Sequence, residues 1–182
     1  MLTHWAVVPT CLPLVRRRCH VCASERFRAD GKFRVNANHK LLDAWLLVLC
    51  TRCGETAKLT VLERRNVRAV PPGLLDRLHA NDLGLTAELL RDPVLRRRNR
   101  IALDWDNAWR LDTGGSEHLD REVLDVSVRF AARIPVRPVR LIAEGCGLPR
   151  AEVERLITEG KIVSGVRLTG KRSGDFTFLL KR

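Results

Sequence analysis

Apolar and polar positions alternate along much of the N-terminal part of the chain. Residues 4–9 read as a short strand, residues 32–38 as another and residues 44–49 as the next, with Asn38-His39-Lys40 as the turn between the last two. Over residues 56–62 the threonines and lysine alternate with alanine, leucine and valine, a period of two that predicts a strand with one buried face. Pro71-Pro72-Gly73 ends this strand-rich part, because proline has no N–H to give to a ladder. Helical spacing follows. It predicts a helix over residues 74–80, a second capped by Thr86 and carrying Ala87, Leu89 and Leu90, and a third piece over residues 94–98. Residues 101–111 are also expected to be helical, since Trp105 and Trp109 at i and i+4 would share one face as core residues.

A loop at Thr113-Gly114-Gly115-Ser116 leads back to strand periodicity at Leu124, Val126, Val128 and Phe130. The last fifty residues change pattern again. Two helices are expected, over residues 138–144 and 149–159, with a break at Gly145-Cys146-Gly147. The second is amphipathic, with Val153, Leu156 and Ile157 on one face and Arg150, Glu154, Arg155 and Glu159 on the other. Strands over residues 161–168 and 175–180 close the chain. These elements predict an α+β protein in three parts: a ribbon-like domain over residues 1–70 with a three-stranded antiparallel sheet, a mixed helical and strand connecting region over residues 71–132, and a small α+β domain over residues 133–182. The longest unbroken apolar run, residues 44–50, is far shorter than the roughly 18 to 20 residues that span a bilayer. Met1 to Trp5 contains no basic segment of the secretory kind, so a cytoplasmic protein is expected.

Cysteine placement changes the picture most. Cys19 and Cys22 form one Cys-x2-Cys pair, Cys50 and Cys53 a second, and 27 residues separate them, enough for a hairpin to bring the pairs together. In a cytoplasmic chain such pairs point to thiolates on a metal rather than to disulfides. Tetrahedral zinc is the expected cofactor, one ion on four sulfurs. Such a site keeps no open position for water or substrate, and the chain contains neither His-Glu-x-x-His nor the His-x-Glu of zinc deaminases. The zinc is therefore expected to be structural. Gly54 suits the turn after the second pair, whereas Ala23 stands at the matching place after the first. His20 and His39 lie near enough in sequence to compete as ligands, but a complete cysteine set assigns them to the surface. Cys11 and Cys146 are expected to be ordinary buried thiols.

Charge adds a candidate partner. The net charge is +12, and it is uneven along the chain. Residues 1–70 carry 13 Lys/Arg against 5 Asp/Glu, residues 71–132 carry 9 against 11, and residues 133–182 carry 11 against 5. Two basic ends favour a polyanion, because each neutralised phosphate releases counterions.

Two resemblances sharpen this reading. The series Val139-Arg140-Leu141-Ile142, Gly147-Leu148-Pro149-Arg150, Val153-Glu154-Arg155-Leu156-Ile157, Gly160-Lys161-Ile162 and Ser173-Gly174-Asp175-Phe176-Thr177-Phe178 resembles the S-four-type RNA-binding domain over residues 137–180. The resemblance implies that RNA would run along the two helices and their adjoining loops, with contacts from Arg137, Arg140, Arg150, Arg155, Lys161 and Arg167. Over nearly its whole length the chain is also similar to domain-of-unknown-function family 1062. That likeness rests on the two cysteine pairs, on Lys32-Phe33-Arg34-Val35-Asn36-Ala37-Asn38 and on Asp43-Ala44-Trp45-Leu46. It implies no activity.

Taken together, these features lead to a non-catalytic, zinc-containing RNA-binding protein that recognises structured RNA, with ribosomal RNA among the candidates, by backbone and shape. Tyrosine is absent, which argues against an aromatic platform for bases. A protein-interaction adaptor of the ribosome or transcription machinery is the alternative. An RNA-modifying enzyme is the third reading, with Asp104, Asp106, Asp112, Asp120 and Asp125 as the acidic residues available but no recognised nucleophile.

Overall fold

The first strand, Leu2–Pro9 (β1), buries Trp5 and Val7 on one face, as its alternation requires, yet it does not join the strands that follow it. In a computed structural model that describes residues 2–115 and 122–181, the chain divides into two compact units, one formed by Leu12–Asp104 and the other by Met1–Cys11 with Trp105–Arg182. This division departs from the boundaries expected near residues 70 and 132.

In the Leu12–Asp104 unit, Leu14–Arg16 (β2) leads to the long strand Arg26–Asn38 (β3), then Leu41–Cys50 (β4) and Thr56–Asn66 (β5). Three helices follow, Pro72–His79 (α1), Leu83–Arg91 (α2) and Pro93–Asn99 (α3), and a short strand, Ala102–Asp104 (β6), returns to the sheet. The five strands are antiparallel in the order β5-β4-β3-β2-β6. The three strands expected for the ribbon are thus one side of a larger sheet, β5-β4-β3, which β2 and β6 extend, and the first helices of the expected connecting region belong to the same unit. The reason is burial. Every second residue of β4 from Leu42 to Cys50 is buried, and a sheet face that apolar must be covered. Leu90, Leu95 and Ile101 pack with Phe27, Leu46, Val48 and Leu59, while Leu78 and Leu85 close over Ala44. Each such side chain contributes about 1.5–3 kcal/mol on full burial.

The pairing of β3 with β4 slips between Ala29 and Phe33. Gly31 sits in this bulge with φ +79°, a conformation that L side chains rarely adopt, and a Cβ there would also displace the exposed Leu83 side chain, whose Cδ2 would lie 2.6 Å away. Asn81 fixes the same place by accepting a hydrogen bond from the Phe33 N–H at 2.7 Å. The cap of α2 is Asp82, whose carboxylate accepts from the Leu85 N–H at 2.6 Å. Thr86, expected to cap that helix, lies inside it, fully buried, with its hydroxyl donating to the Asp82 carbonyl.

The helix expected over residues 101–111 does not form. β6 is followed by a turn in which the Ala108 N–H donates to the Trp105 carbonyl and Asn107 takes φ +63°, and Trp109–Asp112 (β7) begins. Asp106 and Asn107 are turn formers, and the i, i+4 spacing of the tryptophans fits strand-turn-strand as well as a helix. Trp105 is buried and Trp109 half-buried.

In the second unit, β7 pairs with β1, and Val123–Phe130 (β8) runs parallel to β1 on its other side. Two helices, Pro138–Cys146 (α4) and Arg150–Thr158 (α5), precede Ile162–Val163 (β9) and Phe176–Lys181 (β10), giving the sheet order β7-β1-β8-β10-β9. The strand expected over residues 161–168 shrinks to the two residues of β9. Gly145, expected to break α4, lies within it: a Cβ there would overlap the Trp5 indole, which also meets Phe178 edge-on at 5.4 Å. Gly145 is a packing residue for the core of this unit. The Thr113-Gly114-Gly115-Ser116 loop is described only to Gly115; Ser116 lies outside the described residues, as does Asp120.

No described helix is long and apolar enough to cross a membrane.

Candidate metal centre and cationic cleft

Two turns of the same design carry the four cysteines. In the first, the Cys19 N–H donates to the Ser24 carbonyl at 2.8 Å and the Ala23 N–H to the Cys19 carbonyl at 3.1 Å. In the second, the Cys50 N–H donates to the Glu55 carbonyl at 2.8 Å and the Gly54 N–H to the Cys50 carbonyl at 3.0 Å. Ala23 takes φ +57° and Gly54 φ +75°, so the alanine adopts the conformation its glycine counterpart adopts. β3 and β4 hold the turns together, since Phe27 pairs with Cys50 and the Thr51 N–H donates to the Arg26 carbonyl.

The four sulfurs lie within 4.8 Å of one another, with Cys19 Sγ 3.7 Å from Cys53 Sγ and Cys22 Sγ 3.6 Å from Cys50 Sγ. Four sulfurs about 2.3 Å from a tetrahedral ion stand about 3.8 Å apart, so the set fits a metal ion of this kind. Among the described residues no histidine joins the cluster. His20 is exposed and faces Glu55 at 3.8 Å. Cys146 is buried as expected, but Cys11 is exposed.

The thiols differ in acidity. The backbone N–H of Cys53, opposed by burial and helped by the Arg52 N–H, draws Cys50 down to about 6. The Glu55 N–H favours the thiolate of Cys53, but burial and the three neighbouring sulfurs outweigh it and push Cys53 up to about 12. Without a cation, the last thiolate of the set forms only against the charge of the others.

The second unit contains a cleft of about 600 Å³, a volume ordinary for ligand sites. Arg137 immediately precedes α4, Arg140 is on its first turn and Arg150 opens α5, and all three line the cleft. Lys171, Thr158 and Thr169 join them, together with Asp106, Glu154 and an apolar wall that includes Trp109, Val139 and Ile157. The Arg140 guanidinium lies 4.8 Å from the centre of the Trp109 ring, a cation–π contact that holds it at the rim.

The six expected RNA contacts therefore separate into two sets. Arg137, Arg140 and Arg150 come together. Arg155 and Lys161 belong instead to an ion-pair ladder: Arg155 meets Glu152 at 2.6 Å and Glu159 at 3.2 Å, and Lys161 meets Glu159 at 3.5 Å. Arg155 holds Glu152 below the usual carboxylate range. Arg167 is exposed outside the cleft. Lys171 and Trp109 were not anticipated as cleft residues. Lys171 stands in no helix pattern, and the i, i+4 spacing of Trp109 with Trp105 points to a helix core. Of the acidic residues considered for catalysis, Asp106 lines the cleft and Asp112 accepts from the Gly114 N–H, while Asp104 belongs to the Leu12–Asp104 unit.

Residues 35–168 match the family described as "Protein of unknown function (DUF1062)". The chain belongs to the DUF1062 family. The match takes in Cys50, Cys53 and the three cleft arginines, and begins after Cys19 and Cys22. No curated protein and no solved structure matches this DUF1062 chain.

Proposed function

We propose that this DUF1062 protein is a non-catalytic RNA-binding protein stapled by one structural zinc ion on Cys19, Cys22, Cys50 and Cys53. The zinc would cross-link the two turns and supply folding free energy to the Leu12–Asp104 unit. The observation that carries the RNA reading is the cleft, which gathers Arg137, Arg140, Arg150 and Lys171 beside the N-terminal ends of two helices. Helix N-termini and guanidinium forks both favour phosphate oxygens. The resemblance of residues 137–180 to the S-four-type domain points the same way. One face of Trp109 is taken by Arg140, which favours contact with backbone and shape over base stacking.

Binding of the zinc-loaded protein to a structured RNA hairpin, followed by fluorescence anisotropy over a salt series, tests the reading. The logarithm of affinity should fall linearly with that of salt concentration, with a slope of roughly 0.7–0.9 per phosphate contacted. Replacing Arg137, Arg140 and Arg150 together with glutamine should flatten that slope by about 2. Absence of binding at low salt, or binding indifferent to salt, would overturn it. A protein partner retained from cells after nuclease treatment, with no RNA affinity in the purified chain, would point to an adaptor instead.

A further inference from the structure

The cleft leaves most of the basic charge unexplained. The Leu12–Asp104 unit carries 19 Lys/Arg against 10 Asp/Glu, a net +9 of the chain's +12. Part of that charge is gathered in one place. Arg16, Arg17, Arg18 and Arg100 line an open hollow of about 490 Å³ in which Glu25 is the one acidic residue. Two distant segments supply it. Arg16 to Arg18 lead from β2 into the first cysteine turn, Arg100 lies between α3 and β6, and the pairing of Arg16 with Ala102 brings them together.

Little of this charge is neutralised. Arg16 reaches Glu25 at 3.4 Å, but both side chains are more than half exposed, and such pairs are weak in water. An Arg17 guanidinium nitrogen donates to the Lys58 carbonyl at 3.3 Å, which orients the group and leaves its charge uncompensated. Arg18 and Arg100 have no ion-pair partner among the described residues. Arg100 closes α3 with φ +51°, its N–H on the Arg96 and Arg97 carbonyls, a conformation that glycine or asparagine adopts more easily. Four guanidinium groups around one hollow repel each other, and closely spaced phosphates relieve that repulsion while releasing counterions. Among the described residues no aromatic lines the hollow, so it offers contacts to a backbone and none to a base face.

We propose that this hollow is a second phosphate-backbone contact for RNA, separate from the cleft and built on the metal centre. It shares its ligand class with the function proposed above but not its residues. Arg18 directly precedes Cys19, whose N–H and carbonyl are fixed within the first cysteine turn, so that turn helps to place Arg18 beside the arginines that β2 and the end of α3 hold.

The test compares three full-length proteins on one RNA hairpin over a salt series, with zinc content measured for each: the unaltered chain, Arg17→Gln/Arg18→Gln/Arg100→Gln, and Arg137→Gln/Arg140→Gln/Arg150→Gln. The hollow variant is expected to keep its zinc, to show a salt slope flatter by about 2, and to bind about tenfold more weakly at physiological salt. If only the cleft variant loses slope, the hollow is not a contact and this inference fails while the cleft stands. If only the hollow variant loses slope, the hollow stands and the cleft reading fails. Loss of zinc with an unchanged slope would show that the arginines serve only to offset the charge of the metal centre, and would overturn the proposal. An unaltered chain that binds no RNA overturns both.

Discussion

At Ala23 the chain keeps an L-residue where the matching turn has Gly54, and it does so at φ +57°. The left-handed conformation costs a non-glycine residue roughly 1–2 kcal/mol, part of which glycine gives back through its greater freedom in the unfolded chain. Ala23→Gly is therefore expected to stabilise the zinc-loaded protein by about 0.5–1 kcal/mol in chemical denaturation; equal or lower stability would mean the turn holds no strain there. Asn99 offers a second residue-scale case. Its side-chain oxygen accepts from the Thr60 N–H at 2.7 Å, and its nitrogen donates to the Thr60 carbonyl at 3.0 Å, so it satisfies one residue of the edge strand β5. Asn99→Ala leaves both groups without that partner and should cost about 1–3 kcal/mol, measured as a lowered denaturation midpoint. The two turns were legible from spacing alone because a knuckle is local. The role of Asn99 was not, because its partner lies 39 residues away.

Among the elements, the junction of α1 and α2 is held by charge. Arg77 reaches Asp82 at 3.3 Å and Glu88 at 2.9 Å, and both carboxylates are held below their usual range, chiefly by their hydrogen bonds to Arg77. A carboxylate with a depressed folded value stabilises the fold above its unfolded value, near 4, and loses that contribution as pH falls through the folded one. Acid titration below about pH 4.5 should therefore weaken the packing of α2 on β3, and Asp82→Asn should shrink the acid-dependent part of the unfolding curve. An unchanged acid limb would show that the pair is screened by water. Most helices and strands were evident from periodicity, and the misread ones share a cause. Residues 101–111 and Gly145 were judged on local pattern, whereas a turn at Asn107 and the Trp5 ring against α4 decided them. Thr86 precedes an apolar run, as a cap does, but Asp82, four residues earlier, is the cap and accepts from the Leu85 N–H.

For the whole molecule, folding redistributes the charge that the linear sequence displays. The stretch over residues 71–132 looked neutral, yet the arginines of α3 fold into the Leu12–Asp104 unit, and Arg100 joins Arg16 to Arg18. Cys19 and Cys50 are part of that unit's core, so a metal held there would be tied to the folding of the unit as a whole. Cys50→Ser should abolish zinc retention and unfold the unit, read by metal analysis and by loss of near-ultraviolet circular dichroism from Trp45. A variant that stayed folded without metal would show that the sheet and helices suffice. The chain by itself determined the two cysteine pairs, the strand periodicities and the basic character, because each is written in spacing or composition. Only tertiary structure decided that β1 pairs with β8 more than a hundred residues later, that Arg137, Arg140 and Arg150 share a cleft while Arg155 turns to its glutamates, and that an arginine after α3 completes the hollow at the first cysteine turn. Such groupings follow from which apolar faces must be buried together, and a local pattern shows that a face needs covering without naming the segment that covers it.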